Sequence, residues 1–213
     1  MTTANFNSRF RYFNLIVGTL AVTDIRAYYN VIRISRMIKA RDYLNPLIQR
    51  YSLPNITMAP CSDSLVVTSD DSDIRTYYKF ILALMDKVKF SKVKIGIDPG
   101  KKIGIAVIGD GYLIDLRSFL NISEVLRFIS DIVDLSDRIL IKIGNGANGR
   151  KIVSSLRNIF KDRDHSKVRI VTVDEYDASH IVSLYGIKFK KRYEDMISAL
   201  QIVLKYVPLE EDL

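Results

Sequence analysis

Apolar and polar positions alternate in two different styles along this chain, and the change falls near residue 90. Before it, strand-length apolar runs are separated by segments of helical spacing. Phe13–Val22 reads as a buried strand. Thr23 or Asp24 can cap a helix in which Ile25, Tyr28, Tyr29, Ile32, Ile34, Met37 and Ile38 recur at helical intervals, with Arg26, Arg33, Arg36, Lys39 and Arg41 on the other face. Pro46 and Pro54 punctuate its exit, Ser64–Thr68 reads as a short strand, and Ser69-Asp-Asp-Ser-Asp73 caps a second helix running through Ile74, Tyr77, Tyr78, Ile81, Leu82, Met85 and Val88. The acidic run needs only that helix's N-terminal amides to explain it. These residues predict a small α/β domain over 1–90.

From Lys92 onward strands come in quick succession. Residues 93–98, 102–108 and 112–119 predict a three-strand meander, with a turn at Gly109-Asp-Gly111. Asn121 or Ser123 caps an amphipathic helix to about residue 135. Arg138–Ile143 is a near-continuous apolar run of the kind that forms a buried parallel strand. A glycine-rich turn, Gly144-Asn-Gly-Ala-Asn-Gly149, leads into a helix to about Lys161. Val168–Val173 is a further strand, ended by Asp174-Glu175. A helix to about Leu184, a basic connector Lys188–Arg192 and a last helix from Tyr193 to about Tyr206 complete a second domain over 91–213.

Composition narrows the partners. Among 213 residues, 32 Lys and Arg face 24 Asp and Glu, giving a net charge of +8 and a pI near 9.5, which favours a polyanionic partner. Cys61 is the one cysteine, which excludes an internal disulfide framework and a thiolate zinc site and fits a reducing, cytoplasmic setting. His165 and His180 lack metal-ligand spacing. Arg9 and Arg11 before Phe13–Val22 mimic a signal peptide. The run is broken by Asn14 and Gly18, however, and no stretch approaches the ~20 apolar residues that cross a bilayer, so no membrane association is expected.

The candidate chemistry is carboxylate chemistry. Asp98 ends the first strand of the meander just before Pro99-Gly100, where an Asp can also simply initiate a turn. Glu175 lies just past the last strand. Asp195 stands one turn into the final helix, on the face of Ser198 and Ala199, whose small side chains let a helix approach a sheet closely. Functional groups in α/β sheets collect at strand ends. Three carboxylates converging there cannot all stay ionised without a cation. Mg²⁺ or Mn²⁺, hard ions with oxygen ligands, meets that need, with Asp174 and Glu194 as alternative ligands. Lys101, Lys102, Asn145, Arg150, Lys151, Lys188, Lys190, Lys191 and Arg192 flank these acids in sequence and are candidate nucleic-acid contacts.

This order of elements resembles the ribonuclease H-like fold, a mixed sheet of an antiparallel three-strand meander plus parallel strands with helices on both faces. Within it the chain is most similar to the RuvC and YqgF group of Holliday-junction-resolvase-like proteins, and closest to archaeal predicted nucleases. The resemblance rests on Ile95-Gly-Ile-Asp98-Pro-Gly100 with Gly104-Ile-Ala-Val, on Gly144-Asn-Gly with Gly149, on Val173-Asp-Glu175 with Ser179, and on Asp195 with Ser198-Ala199. It covers residues 92–207. It implies a metal-dependent endonuclease on structured nucleic acid, DNA rather than RNA, holding two metal ions through Asp98, Glu175 and Asp195, and working as a homodimer on branched DNA. Two positions depart from the pattern. Tyr176 stands where the YqgF element has Arg, and Lys142 occupies the strand on which RuvC enzymes carry an acid.

Three other readings compete. Gly144-x-Gly-x-x-Gly149 is formally a dinucleotide fingerprint, but a Rossmann domain carries it near its first strand and continues with further βα units. The hairpin at Gly96-Ile-Asp-Pro-Gly resembles the phosphate loop of actin-like ATPases, which need two such lobes. A ribonuclease H-like scaffold that binds nucleic acid or protein without cutting would not need Asp98, Glu175 and Asp195 together.

Overall fold

The computed structural model describes residues 19–39, 54–58, 65–161, 167–174 and 193–207. The protein is a mixed α/β chain whose described residues form five helices and two sheets, one parallel with three strands and one mixed with five. It divides into two compact units, residues 11–90 with 131–135, and residues 91–130 with 136–213.

The first unit holds β1 (Thr19–Val22), α1 (Ile25–Lys39), β2 (Asn55–Thr57), β3 (Leu65–Val67) and α2 (Asp73–Leu84). Its sheet has the order β2-β1-β3, every pair parallel. Asp24 caps α1, accepting the Ala27 N–H at 2.9 Å and the Thr23 hydroxyl at 2.8 Å. The backbone bond from Ala27, followed by the Thr23 hydroxyl, holds the Asp24 carboxyl below its ordinary range.

The buried side of α1 agrees with its large apolar residues only in part: Ile34 and Ile38 bury as expected, and Arg26, Arg33 and Arg36 are exposed. Ala27, Val31, Ile34, Ser35 and Ile38 face inward, whereas Ile25, Tyr29 and Met37 are exposed. Ala27 and Ser35 bury without adding bulk to the hydrophobic pattern, so the spacing of bulky residues misjudges the rotation of the helix. Asp71, Ser72 and Asp73 of the acidic run before α2 are engaged within the unit. Ser72 caps the helix through the Arg75 N–H, Asp71 pairs with Lys79 at 2.6 Å and Arg75 at 3.2 Å, and Asp73 binds the Arg33 guanidinium. That last partner raises the Arg33 pKa.

The second unit holds β4 (Phe90–Asp98), β5 (Ile103–Gly109), β6 (Tyr112–Phe119), α3 (Ile122–Val133), β7 (Ser136–Gly144), α4 (Gly149–Phe160), β8 (Val168–Val173) and α5 (Glu194–Leu204); the first residue of β4 and the last turn of α3 group with the first unit. The strand order is β6-β5-β4-β7-β8. β4, β5 and β6 form the expected antiparallel meander, and β7 pairs in parallel with β8. The Phe90 N–H donates to the Leu135 carbonyl, which sets the starts of β4 and β7 side by side. The two neighbours therefore run in the same direction, and the ends of β4, β7 and β8 share one edge.

Asp110 and Gly111, at φ 49° and 88°, form the two-residue loop between β5 and β6 that an Asp-Gly pair favours. Asn121 caps α3 through the Glu124 N–H. The apolar side chains of Ile95, Ile97, Ile103, Ile105 and Val107 are fully buried, as are Ile139, Ile141 and Ile143 on β7. Arg117 joins the buried Asp115 in an ion pair and stacks 5.4 Å from the centroid of Phe128, which places α3 on the sheet face opposite the one that carries α5. No helix among the described residues is long and apolar enough to cross a membrane.

Candidate functional site

Helix α5 lies on the β4–β5 hairpin because two strand positions carry no side chain. A Cβ on Gly104 would stand 1.8 Å from the Asp195 carbonyl oxygen, and one on Gly96 would stand 2.2 Å from that of Ala199. Real Cβ atoms never approach backbone so closely, so both positions must be glycine for the helix to rest there.

The same contacts orient Asp98. In the antiparallel register Asp98 is opposite Gly104 and Gly96 is opposite Ala106. Residues directly opposite one another present their side chains to the same face. The missing Gly104 side chain points at Asp195, so the side chain of Asp98 leaves β4 on the α5 face too, beside the first turn of that helix. Cα atoms of such partners lie about 5 Å apart. Asp98 and Asp195 thus share one face at the strand-end edge, both half-buried. The Lys102 ammonium lies 4.0 Å from an Asp195 oxygen.

Around this pair the edge is tied together by two turns. Asn148, at the N-cap position of α4, makes no capping bond. Its amide donates to the Gly100 carbonyl at 3.1 Å instead. A Cβ on Gly149 would fall 2.4 Å from the Gly144 carbonyl oxygen and 3.6 Å from the Pro99 ring. The space freed by that glycine is filled by the chain's own turn and by the Asp98-Pro99-Gly100 turn, which accounts for the glycine without a nucleotide. Further along the edge, Asn145 donates to Asp174 at 3.1 Å, and Lys205 binds the Asp174 carbonyl. Asp174 and Glu194 are exposed, as are Lys101, Arg150 and Lys151.

Lys142 has a role that its sequence position did not reveal. It is fully buried on β7, and its ammonium donates to the Val203 carbonyl at 3.0 Å and to the Lys205 carbonyl. A cation there meets the negative end of the α5 dipole. Val203 lies eight residues beyond Asp195, roughly 12 Å along the helix, so Lys142 anchors the end of α5 remote from the carboxylates. The remaining predicted residues, Glu175, Tyr176, Lys188, Lys190, Lys191 and Arg192, lie outside the described residues, as do Cys61, His165, His180 and the helix expected after Glu175. Among the described residues no group of three or more His, Cys, Asp or Glu is disposed to hold a metal ion.

Compared with known proteins, the chain matches no protein-family model, and no curated protein sequence matches it significantly. What it does must therefore be read from its own residues.

Proposed function

We propose that the chain is a divalent-metal-dependent endonuclease of the ribonuclease H-like fold, acting on structured nucleic acid, DNA in preference to RNA. The observation that carries this reading is the placement of Asp98 and Asp195 on one face at the strand-end edge, opposite and against Gly104. An antiparallel meander continued by strands in the order β6-β5-β4-β7-β8, with a helix laid over the hairpin, supports the fold.

The donor set fits a hard cation. Both described acids offer carboxylate oxygens, and Asp195 already draws the Lys102 ammonium. Asp98 and Asp195, completed by Glu175, would hold Mg²⁺ or Mn²⁺, which when bound would make a water easier to deprotonate for attack on a phosphodiester and would stabilise the charge on the leaving oxygen. The chain's own residues position the substrate. Lys101 follows the Asp98 turn, Arg150 and Lys151 open α4, and these three are exposed cations that would meet phosphate oxygens, with Lys102 beside them paired to Asp195. Cutting both strands of a branched duplex would call for two copies of the chain.

The buried Lys142 favours a second reading, a ribonuclease H-like scaffold that binds nucleic acid without cutting, because its ammonium stands on the strand where the resembling enzymes carry an acid. One experiment separates the two. Four-way junction, duplex DNA, RNA–DNA hybrid and single strands are incubated with the protein and Mg²⁺ or Mn²⁺, beside Asp98→Asn. The nuclease reading expects cleavage of at least one substrate, lowered ~100-fold or more by the substitution. Binding without cleavage, or cleavage that Asp98→Asn leaves intact, overturns it.

A further inference from the structure

Helix α4 carries Arg150, Lys151, Arg157 and, at its C-terminal end, Lys161, and no acidic residue between Gly149 and Lys161. Its inward side is apolar, with Ile152, Val153, Leu156 and Phe160 buried. All four cations lie on the exposed side together with Ser154 and Asn158. None of the four makes an ion pair among the described residues. This differs from α1, whose Arg33 is committed to Asp73. Surface cations are ordinarily interspersed with acids, so a helix face without an acid, its cations unpaired among the described residues, is a sustained positive field.

The row also leads somewhere. Arg150 and Lys151 follow directly on Asn148 and Gly149, the residues that grip the Asp98-Pro99-Gly100 turn. Going outward from that turn, Arg150, Ser154, Arg157 and Lys161 succeed one another by four, three and four positions, which keeps them on one stripe. Twelve helical residues extend about 18 Å. The phosphates of one strand of a duplex rise about 3.4 Å each along the axis, so the stripe faces roughly five of them.

We infer that the outer face of α4 is a docking surface for the phosphodiester backbone of duplex nucleic acid, guiding it to the Asp98 edge. This deepens the proposed function by naming the form of nucleic acid and the surface that receives it. The stripe presents charge and hydrogen-bond donors but no aromatic ring, so it offers nothing on which the unstacked bases of a single strand could stack. Recognition there is by phosphate and independent of sequence.

The test compares full-length wild type with Arg157→Gln/Lys161→Gln, two exposed positions remote from the carboxylates. The control is Arg127→Gln/Arg138→Gln, which removes the same net charge from exposed sites elsewhere in the same unit. Binding to a fluorescein-labelled DNA duplex of about two turns is measured by anisotropy between roughly 50 and 200 mM salt, with a single strand of equal length as competitor. The α4 variant is expected to bind at least ~10-fold more weakly and to lose about 2 from the slope of log affinity against log salt, at ~0.9 per phosphate contact. The control should keep its slope. Equal losses in both variants, no loss in either, no binding by wild type, or single strand displacing duplex at equal concentration overturns the inference. Duplex binding lost in the α4 variant, together with no cleavage of any substrate by wild type, sustains the surface and defeats only the nuclease reading.

Discussion

One hydrogen atom where other residues carry a side chain decides where Asp195 stands. Gly104 lets the first turn of α5 rest on the hairpin beside Asp98, and even a methyl group there would meet backbone rather than a side chain that could turn away. Gly104→Ala is therefore expected to lower stability by about 2 kcal/mol or more and to lift α5 from β5. A reduced urea midpoint, with amide exchange accelerated in α5 above all, would register this. Gly100→Ala is the mild control, because its Cβ would lie 3.2 Å from the Lys102 carbonyl. The sequence already displayed Gly96, Asp98 and Gly104. That they converge on one helix depended on the register pairing Asp98 with Gly104, which spacing along a single strand does not encode. The bond from Asn148 to Gly100 spans 48 positions and left no local signal.

At the scale of elements, α5 is held at both ends, by Gly104 near its start and by the Lys142 ammonium at its end. Lys142→Met keeps the bulk of the side chain but abandons two carbonyl acceptors, the buried one of Val203 and the part-buried one of Lys205, at a cost of about 1–3 kcal/mol. Hydrogen exchange should show the last turn of α5 losing protection while β4 and β5 keep theirs; equal protection in the variant would mean that the helix end is held by packing alone. Elements with a sustained apolar period were legible from sequence. β8 spans 168–173 as expected, and the strands of the meander agree within a few residues. β2 was missed because its three residues, Asn-Ile-Thr after Pro54, carry too little periodicity to be distinguished from a turn. The face of α1 was legible only in part, through Ile34 and Ile38, because Ala27 and Ser35 are buried too while contributing little to a hydrophobic pattern.

For the molecule as a whole, two proposed features of this edge are separable. One is the proposed cation site at Asp98 and Asp195, and the other is the proposed duplex track along α4, whose first residues adjoin the Asp98 turn. Each can fail without the other, since duplex binding needs no metal and a metal site needs no duplex. The net charge of +8 bears on the second and is silent on the first. The most direct measurement is Mn²⁺ binding followed by electron paramagnetic resonance in wild type, Asp98→Asn, Asp195→Asn and the double variant. If the two aspartates hold one ion, each single substitution weakens binding by at least ~10-fold, about 1.4 kcal/mol, and the double variant falls short of the product of the two losses, because the residues act on the same ion. Binding unaffected by either substitution, or losses that simply multiply in the double variant, would contradict a shared site.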